Sequence, residues 1–286
     1  MLKKLRRLFL LSGLVLTLIL LLTACGTKNT PEPVDEKTHT NFTVAGSGSN
    51  LPITQRLIEG YMKKSGQTIT LPKSIGSGGA IKALRNNAID LGLLSRPLKP
   101  EEVDQGLKQI PYARVAVVIG VHPSVLEEQI TGDDLAAIFK GTKSQWRNGQ
   151  NVILFSREEG DSTNEVLKKE IPGFKEALTE SLEAKRWQVS FTDEEEAQAI
   201  TQTKNSIGFT DSAALAVEKH EIKPLLFDGI QPTIENVEKG TYKLSKDIYF
   251  AYKEPLSKEA QTFLEYVWSN EGQEIIRSAH GIPLGK

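Results

Sequence analysis

The sequence has a single cysteine and no excess of charge of either sign, and both shortages exclude classes of protein. Because Cys25 is the only thiol among 286 residues, neither an intramolecular disulfide nor a four-cysteine zinc site can form. The 35 Lys and Arg residues are balanced by 36 Asp and Glu residues, whereas a nucleic-acid-binding protein normally carries a strong basic excess. We therefore expect no nucleic-acid partner. Hydrophobic residues make up 39% of the chain, an ordinary share for a globular protein.

The sequence also lacks the common motifs of nucleotide binding and hydrolysis. Its two glycine-rich loops, at 46–53 and 76–84, neither continue into Gly-Lys-Ser/Thr nor complete Gly-x-Gly-x-x-Gly. No Gly-x-Ser-x-Gly and no His-Glu-x-x-His segment occurs. Since no nucleophile–base pair is recognisable, we expect that the protein is not an enzyme and that it holds no metal and no cofactor.

The one long apolar run lies near the N-terminus and is too short to span a bilayer. It covers the fifteen residues 8–22, whereas a transmembrane helix needs about 20. Basic residues precede it, and Leu-Thr-Ala-Cys ends it at Cys25, which together indicate an export signal. This ending resembles the lipobox of bacterial lipoproteins, in which the cysteine becomes the lipid-modified first residue. A plain signal anchor with an incidental cysteine is the alternative.

Processing at the lipobox predicts a signal peptide at 1–24, and then the lipidated Cys25 and a flexible tether at 25–40. Cleavage removes four of the 35 basic residues and no acidic residue, so the mature chain is mildly acidic. The tether is polar and holds two prolines, a composition typical of a flexible linker. We expect an extracytoplasmic protein, anchored through its lipid to the cell membrane of a bacterium.

From residue 41 onward, short apolar segments alternate with amphipathic ones, a pattern typical of an α/β domain with a largely parallel sheet. Residues 76–79 are predicted to form a loop before a helix at 80–87. Another helix is expected to begin with the acidic residues 193–196, which suit its positive end and are expected to face water. The predicted strands are 42–45, 68–71, 89–94, 115–121, 152–155, 206–209 and 248–252.

Three junctions between a predicted strand and a helix are rich in glycine and in polar side chains. They lie at 46–51, 76–80 and 160–163. Glycine allows close approach of a ligand, and free N–H groups at a helix start favour an anion. Arg157 precedes the third junction and can supply a fork of charge-assisted hydrogen bonds. One such junction is also typical of an ordinary turn with a capped helix, but three junctions and an arginine favour an anion site.

Motifs that follow one another through almost the whole mature chain resemble a single family. They lie at 46–52, 75–79, 95–98, 138–141 with Trp146, 157–160, 207–209 and 252–273. In this order they resemble the phosphate-binding lipoproteins of phosphate ABC transporters. The resemblance implies a monomeric protein that captures inorganic phosphate with high affinity and delivers it to the permease subunits of an ABC transporter.

The resemblance also implies a two-lobed periplasmic-binding-protein fold of type II. Each lobe is expected to be a sheet flanked by helices, with the ligand in the cleft between the lobes and hinge closure around it. Lobe 1 is expected to hold residues 41–115 and 209–286, and lobe 2 residues 116–208. The anion loops would then lie at the carboxyl ends of strands, where open α/β sheets bind ligands.

Matching the family's motifs residue by residue identifies the expected ligand-binding set. Its members are Ser49, Asn50, Leu51, Ser77, Ser95, Arg157, Asp161, Ser162 and Thr163. The resemblance implies that Leu51 contributes its backbone N–H and that Arg157 grips the anion. Asn50 stands where threonine is usual in the family.

Two members of this set depart from the family and leave the specificity open. Ser95 stands where many relatives have an aspartate that accepts the proton of hydrogen phosphate, and Asp161 lies in a loop that is commonly Gly-Ser-Gly-Thr. Either Asp161 has taken over the acceptor role, or it caps the helix and leaves a site of altered specificity. The alternative ligands are sulfate, molybdate and tungstate. A phosphate-ester hydrolase and a sensor lipoprotein are the interpretations from other classes.

Overall fold

The computed structural model describes residues 42–285, in which strands and helices alternate along the chain. The strands are β1 (Phe42–Gly46), β2 (Ile69–Thr70), β3 (Leu91–Leu94), β4 (Leu107–Val121), β5 (Gln129–Ile130), β6 (Ile153–Arg157), β7 (Gln188–Ser190), β8 (Ser206–Asp211), β9 (Lys223–Pro224), β10 (Leu226–Phe227), β11 (Ser245–Lys253) and β12 (Ile282–Pro283). The helices are α1 (Leu51–Ser65), α2 (Gly76–Arg85), α3 (Pro100–Val103), α4 (Gly132–Lys140), α5 (Ser162–Glu170), α6 (Phe174–Glu183), α7 (Asp193–Gln202), α8 (Ser212–Val217), α9 (Ile234–Glu238), α10 (Lys258–Val267) and α11 (Asn270–Ser278).

The expected signal peptide, the lipidated Cys25 and the tether lie outside the described residues. Within 42–285, no helix is both long enough and apolar enough to cross a membrane.

The long strand β4 joins the two parts of a ten-stranded sheet. From Leu107 to Ala116 it pairs with β11, and from Val117 to Val121 it pairs with β8. Beyond β11 follow β3, β1 and β2, and beyond β8 follow β6 and β7. The predicted strand at 115–121 is therefore only the end of β4, and it leads the chain from one part of the sheet into the other.

Strand direction differs between the outer strands and the middle of the sheet. β1 runs parallel to β2 and β3, and β6 runs parallel to β7 and β8, as expected where helices connect the strands. β4 and β11 run antiparallel to each other, β11 to β3, and β4 to β8. The prediction of a largely parallel sheet is wrong for this middle part, because an apolar run does not reveal the direction of its strand.

Apolar side chains form two main cores, one for each part of the sheet. The first packs α1 and α10 against β1, β3 and β11. The second packs α4 and α6 against β6, β8 and the end of β4. It also receives Leu225, Phe227, Tyr242 and Leu244, which follow β8 in the chain. Since each fully buried large apolar side chain contributes roughly 1.5–3 kcal/mol, these residues stabilise the second part of the sheet.

Of the helices near the site, α5 and α7 begin at capping side chains, whereas α2 does not. Asp161 accepts the N–H of Thr163 at 2.8 Å and so caps α5, and Thr192 caps α7 in a similar way. Helix α2 begins at Gly76 and has no side-chain cap. The prediction of a loop at 76–79 is wrong. It rests on the low helix propensity of glycine, a preference of about 1 kcal/mol that tertiary packing readily overrides.

Candidate functional site

A cavity of about 550 Å³ lies between the two parts of the sheet. Residues near α2 and β3 line one side of it, and residues near β6 and α5 line the other. The lining residues are Ser47, Ile75, Gly76, Ser77, Gly78, Gly79, Ser95, Arg96, Lys99, Arg157, Glu158, Glu159, Gly160, Asp161, Ser162 and Phe191. The fold thus brings five members of the expected set to one cavity: Ser77, Ser95, Arg157, Asp161 and Ser162.

Two helices bring their first turns to this cavity from opposite sides. α2 contributes residues 76–79, and α5 contributes its first residue, Ser162. The first N–H groups of a helix have no partner within the helix, and the helix dipole adds partial positive charge there. Facing helix starts of this kind form a favourable environment for an anion.

Arg157 ends β6 and places a buried positive charge at the cavity, with only 5% of the residue exposed. Its Nη2 donates to the carbonyl oxygen of Phe191 at 2.9 Å. Among the residues described, no acceptor makes a hydrogen bond with its Nε or Nη1. Leaving a buried donor unpaired costs roughly 1–3 kcal/mol. An anion in the cavity would supply the missing acceptors.

Two carboxylates keep Arg157 charged without satisfying its hydrogen bonds. Asp161 Oδ2 lies 3.5 Å from Nε, and Asp193 Oδ2 lies 3.9 Å from Nη2. Burial opposes the charged form of Arg157, but the charges of Asp193 and Asp161, with smaller contributions from Glu196 and Glu158, raise its pKa above the ordinary value. The guanidinium is therefore a permanent cation at the cavity wall.

Four serine hydroxyls meet around Ser95. Ser47 and Ser162 each donate to Ser95 Oγ at 2.9 Å. Ser77 Oγ lies 3.5 Å from Ser95 Oγ and accepts the N–H of Ser95 at 3.2 Å. A hydroxyl has two lone pairs and one proton, so the two donors leave Ser95 with its own proton as its remaining hydrogen-bonding group. Ser95 therefore has no free acceptor, and its one proton can be donated either to Ser77 Oγ, at the long distance of 3.5 Å, or to a ligand in the cavity.

The motifs do not predict the participation of Lys246, which lies in β11. The residue is 7% exposed, and its ammonium donates to the hydroxyls of Ser49, Thr163 and Ser162 at 2.8, 3.1 and 3.2 Å. Strand periodicity was the available signal. Every second residue of a strand faces the same side, and Lys246 shares the buried side of β11 with Ile248.

The acidic start of α7 faces the protein interior at two of its four positions. Asp193 accepts the hydroxyl proton of Ser49 at 2.7 Å. Glu196 is 1% exposed and accepts the N–H of Phe209 at 2.9 Å. The expectation that residues 193–196 face water is wrong for this pair, because residues three apart share one face of a helix. Within 42–285, no group of three or more His, Cys, Asp or Glu side chains is placed to hold a metal ion.

The carboxyl groups of Asp193 and Glu196 have opposite pKa shifts. Burial raises the pKa of Glu196 to about 8, and the N–H of Phe209 offsets this only in part. Burial also acts to raise the pKa of Asp193, but the charges of Lys246 and Arg157 outweigh it and hold that pKa below its usual value. Asp193 is therefore the ionised partner of the two cations, whereas Glu196 is mostly protonated near neutral pH.

Asp161 both caps α5 and borders the cavity. Its Oδ1 accepts the N–H of Thr163 at 2.8 Å, and its Oδ2 lies beside Nε of Arg157. One oxygen is thus engaged by the helix, while the other retains lone pairs close to the unpaired guanidinium donors. Thr163 itself lies beneath the cavity wall, where its hydroxyl accepts from Lys246.

The first glycine-rich junction lies beneath the cavity. The side-chain amide of Asn50 is fully buried and donates to the carbonyl oxygens of Leu94 and Tyr249 at 3.2 and 3.4 Å. Leu51 donates its N–H within the same turn, and Ser49 connects Lys246 to α7 through the bonds described above. None of Ser49, Asn50 and Leu51 lines the cavity.

The sequence matches one family model over most of its length. The model, which describes the PBP superfamily domain, matches residues 31–271. The chain belongs to the PBP superfamily.

The proteins similar to this chain include several that are named for phosphate. Phosphate-binding protein PstS of Bacillus subtilis is 24% identical over 266 residues, covering 87% of this chain and 83% of the relative. Protein SphX of Synechococcus elongatus is 25% identical over 267 residues, covering 85% and 77%. A solved structure from Clostridium perfringens, assigned as a phosphate ABC transporter substrate-binding protein and containing bound phosphate, has a TM-score of 0.75 at 25% identity. The match covers 86% of this chain and 100% of that one.

These matches confirm the resemblance to the phosphate-binding proteins of phosphate ABC transporters. They also confirm the two-lobed α/β fold expected from it.

Proposed function

We propose that this protein captures inorganic phosphate outside the cytoplasm and delivers it to the permease of an ABC transporter. The observation that carries the proposal is Arg157, a buried cation whose Nε and Nη1 have no hydrogen-bond partner among residues 42–285, at a cavity that two helix starts border. The names of the relatives and the phosphate bound in the similar structure support the same ligand.

In this proposal the cavity binds phosphate through donors from both lobes. Arg157 supplies the charge-assisted fork, the starts of α2 and α5 supply N–H groups, and Ser77 and Ser95 supply hydroxyl donors. Each hydrogen bond to a charged partner contributes roughly 1.5–3 kcal/mol. About half a dozen, less the costs of desolvation and closure, are compatible with the ~8 kcal/mol of micromolar binding.

Asp161 is the proposed acceptor for the proton of hydrogen phosphate. Ser95 has both lone pairs occupied by Ser47 and Ser162, so it is poorly suited to that role. Asp161 Oδ2 lies at the cavity next to Arg157. A carboxylate there accepts a hydrogen bond from the P–O–H group of hydrogen phosphate. It repels sulfate, which has no proton to donate.

The first junction acts differently in the proposed bound state. Ser49, Asn50 and Leu51 have protein partners, so direct contact with phosphate requires that they exchange these partners when the lobes close. Their expected role as ligand contacts stays a prediction.

We further propose that Cys25 carries lipid and that the segment 25–40 tethers a monomeric protein to the outer face of the cell membrane. For the lobes we propose residues 42–116 with 245–285, and residues 117–244. The packing of Leu225, Phe227, Tyr242 and Leu244 in the second core supports a boundary near 245 in place of the expected 209, whereas Ala213 of α8 packs in the first core.

The proposal is tested by calorimetric titration of the full-length chain, purified in mild detergent and stripped of ligand by unfolding and refolding. We expect one phosphate per chain with micromolar or tighter affinity, and much weaker binding of sulfate. Failure of phosphate to bind would reject the proposed function.

The acceptor role has its own test, the Asp161→Asn variant. We expect the preference for phosphate over sulfate to fall by about tenfold, because the amide can donate to sulfate as well as accept. The exposed Asp133→Asn variant removes the same charge elsewhere in the second lobe and should keep the preference. An unchanged preference in Asp161→Asn would show that Asp161 is only a cap.

A further inference from the structure

Lys246 forms a junction of hydrogen bonds between the two lobes. It belongs to β11 of the first lobe, together with Ser49 at the start of α1, whereas Ser162 and Thr163 begin α5 in the second lobe. All three of its hydrogen-bond partners are hydroxyl oxygens. The ammonium is therefore held between the lobes by groups that can both accept and donate.

The chemistry of an ammonium fixes the direction of these hydrogen bonds. It has three protons to donate and no lone pair, so each hydroxyl oxygen must accept from it and turn its own proton elsewhere. The Ser49 hydroxyl donates a hydrogen bond to Asp193 at 2.7 Å, and the Ser162 hydroxyl donates one to Ser95 at 2.9 Å. The proton of Thr163 has no acceptor among the hydrogen bonds of residues 42–285, and Thr163 does not line the cavity.

One of these chains ends at the cavity. Lys246 donates to Ser162, Ser162 donates to Ser95, and Ser95 is left with its own proton to donate. Hydrogen bonds aligned in one direction polarise one another and strengthen the last donor. Lys246 does not line the cavity, so it acts on a ligand through these hydroxyls and through its charge.

We propose that Lys246 is a positioning residue of the anion site: through Ser162 it turns Ser95 into a donor for a bound oxyanion, and it adds a second positive charge beneath that oxyanion. The proposal rests on the proposed function, in which that oxyanion is phosphate. In this proposal a residue of strand β11, outside all three glycine-rich junctions, decides which hydroxyls at the cavity donate hydrogen bonds.

The test is the phosphate affinity of full-length Lys246→Met, measured by calorimetry beside the parent chain. We expect about a tenfold or greater loss of affinity, since the charge and the orientation of the donors are lost together. The control is Lys243→Met, which removes an exposed lysine three residues earlier and should stay within about twofold of the parent.

A double-mutant cycle separates positioning from a structural role. In a Ser162→Ala, Thr163→Val background the hydroxyls through which Lys246 acts are absent. The Lys246→Met change should then cost less than about threefold in affinity, because neighbours in one network are not additive. Equal losses in both backgrounds would overturn the proposal, as would parent-like affinity in Lys246→Met.

Folding is checked by thermal unfolding, and Lys246→Gln replaces the methionine variant if that variant does not fold. Glutamine keeps donors but has no charge and can also accept, so it too should lose about tenfold in affinity. Parent-like affinity in Lys246→Gln would overturn the proposal. A parent chain that binds no phosphate would reject the proposed function instead, and the two failures are thereby distinguished.

Discussion

The junctions before α1 and before α5 have similar sequences but different surroundings. Both follow a strand and both are rich in small polar residues. Before α1, the hydroxyl of Ser49 and the side-chain N–H groups of Asn50 donate to other protein groups and lie beneath the cavity. Before α5, Asp161 and Ser162 line the cavity beside the unpaired donors of Arg157.

The difference shows that a polar strand–helix junction is a scaffold or a ligand site according to what fills its hydrogen bonds. Donors already satisfied by carbonyl and carboxylate groups stabilise the fold, whereas donors left unpaired in a buried site favour a ligand that can accept. Among residues 42–285, buried side-chain donors without a partner occur at Arg157, Ser181 and Trp187, and of these only Arg157 lines the cavity.

The largest expected effect is that of Arg157→Ala, which tests whether the unpaired donors beside the second junction bind the ligand. Removing the buried cation should lower phosphate affinity by about 3 kcal/mol, on the order of a hundredfold. Calorimetry measures the loss, and the exposed Arg147→Ala variant controls for removal of one positive charge from the same lobe. A parent-like affinity in Arg157→Ala would place the ligand elsewhere.

A buried carboxyl group in α7, Glu196, should make the stability of the protein depend on pH. The pKa of Glu196 is raised from about 4.5 to about 8 in the folded chain, so the folded chain holds a proton that the unfolded chain releases. The stability that protonated Glu196 contributes is complete below the unfolded pKa of about 4.5. It is lost as the pH rises through the folded pKa of about 8. Relative to Glu196→Gln, the parent should lose about 1 kcal/mol of unfolding free energy per pH unit in this window.

Urea unfolding of both chains at about pH 5 and about pH 7 tests this, with an expected change of about 2 kcal/mol in their difference. Glu194→Gln, an exposed position of the same helix, should show a constant difference from the parent. A constant difference for Glu196→Gln as well would mean that Glu196 is ionised throughout the window.

The smallest expected effects are those of two serine substitutions, one in each junction, which test whether only the second junction contacts the ligand. Ser162→Ala should lower phosphate affinity by about 1 kcal/mol, because the hydroxyl lies at the cavity and directs Ser95. Ser49→Ala should lower the unfolding free energy by about 1 kcal/mol, because Asp193 loses a hydrogen bond, with little change in affinity. Equal losses of affinity in the two variants would place both junctions in contact with the ligand.

Much of the cavity wall could be predicted from the sequence. The motifs placed Ser77, Ser95, Arg157, Asp161 and Ser162 in one set, and these residues line one cavity; that they bind the ligand stays a prediction. Their local signals are strong, because glycine, hydroxyl groups and an arginine at strand ends have few other uses in combination.

The residues beneath the wall could not be predicted in the same way. Lys246 has no motif, and its burial depends on strand pairing with β4 and β3, which are distant in sequence. The acidic start of α7 has a normal pattern for an exposed helix start, and only the packing against β8 shows that Glu196 is buried. Strand direction in the middle of the sheet likewise depends on which segments pair.

The sequence by itself determined the order of strands and helices, the polar junctions and the arginine that precedes one of them, because these depend on local periodicity and on residue chemistry. Only the tertiary structure decided which donors are free. The side-chain donors of Ser49 and Asn50 found partners from distant segments, such as Asp193 for Ser49, whereas two nitrogens of Arg157 found none among residues 42–285. Hydrogen-bond satisfaction is a property of all the groups that meet at a point, and no local pattern records it.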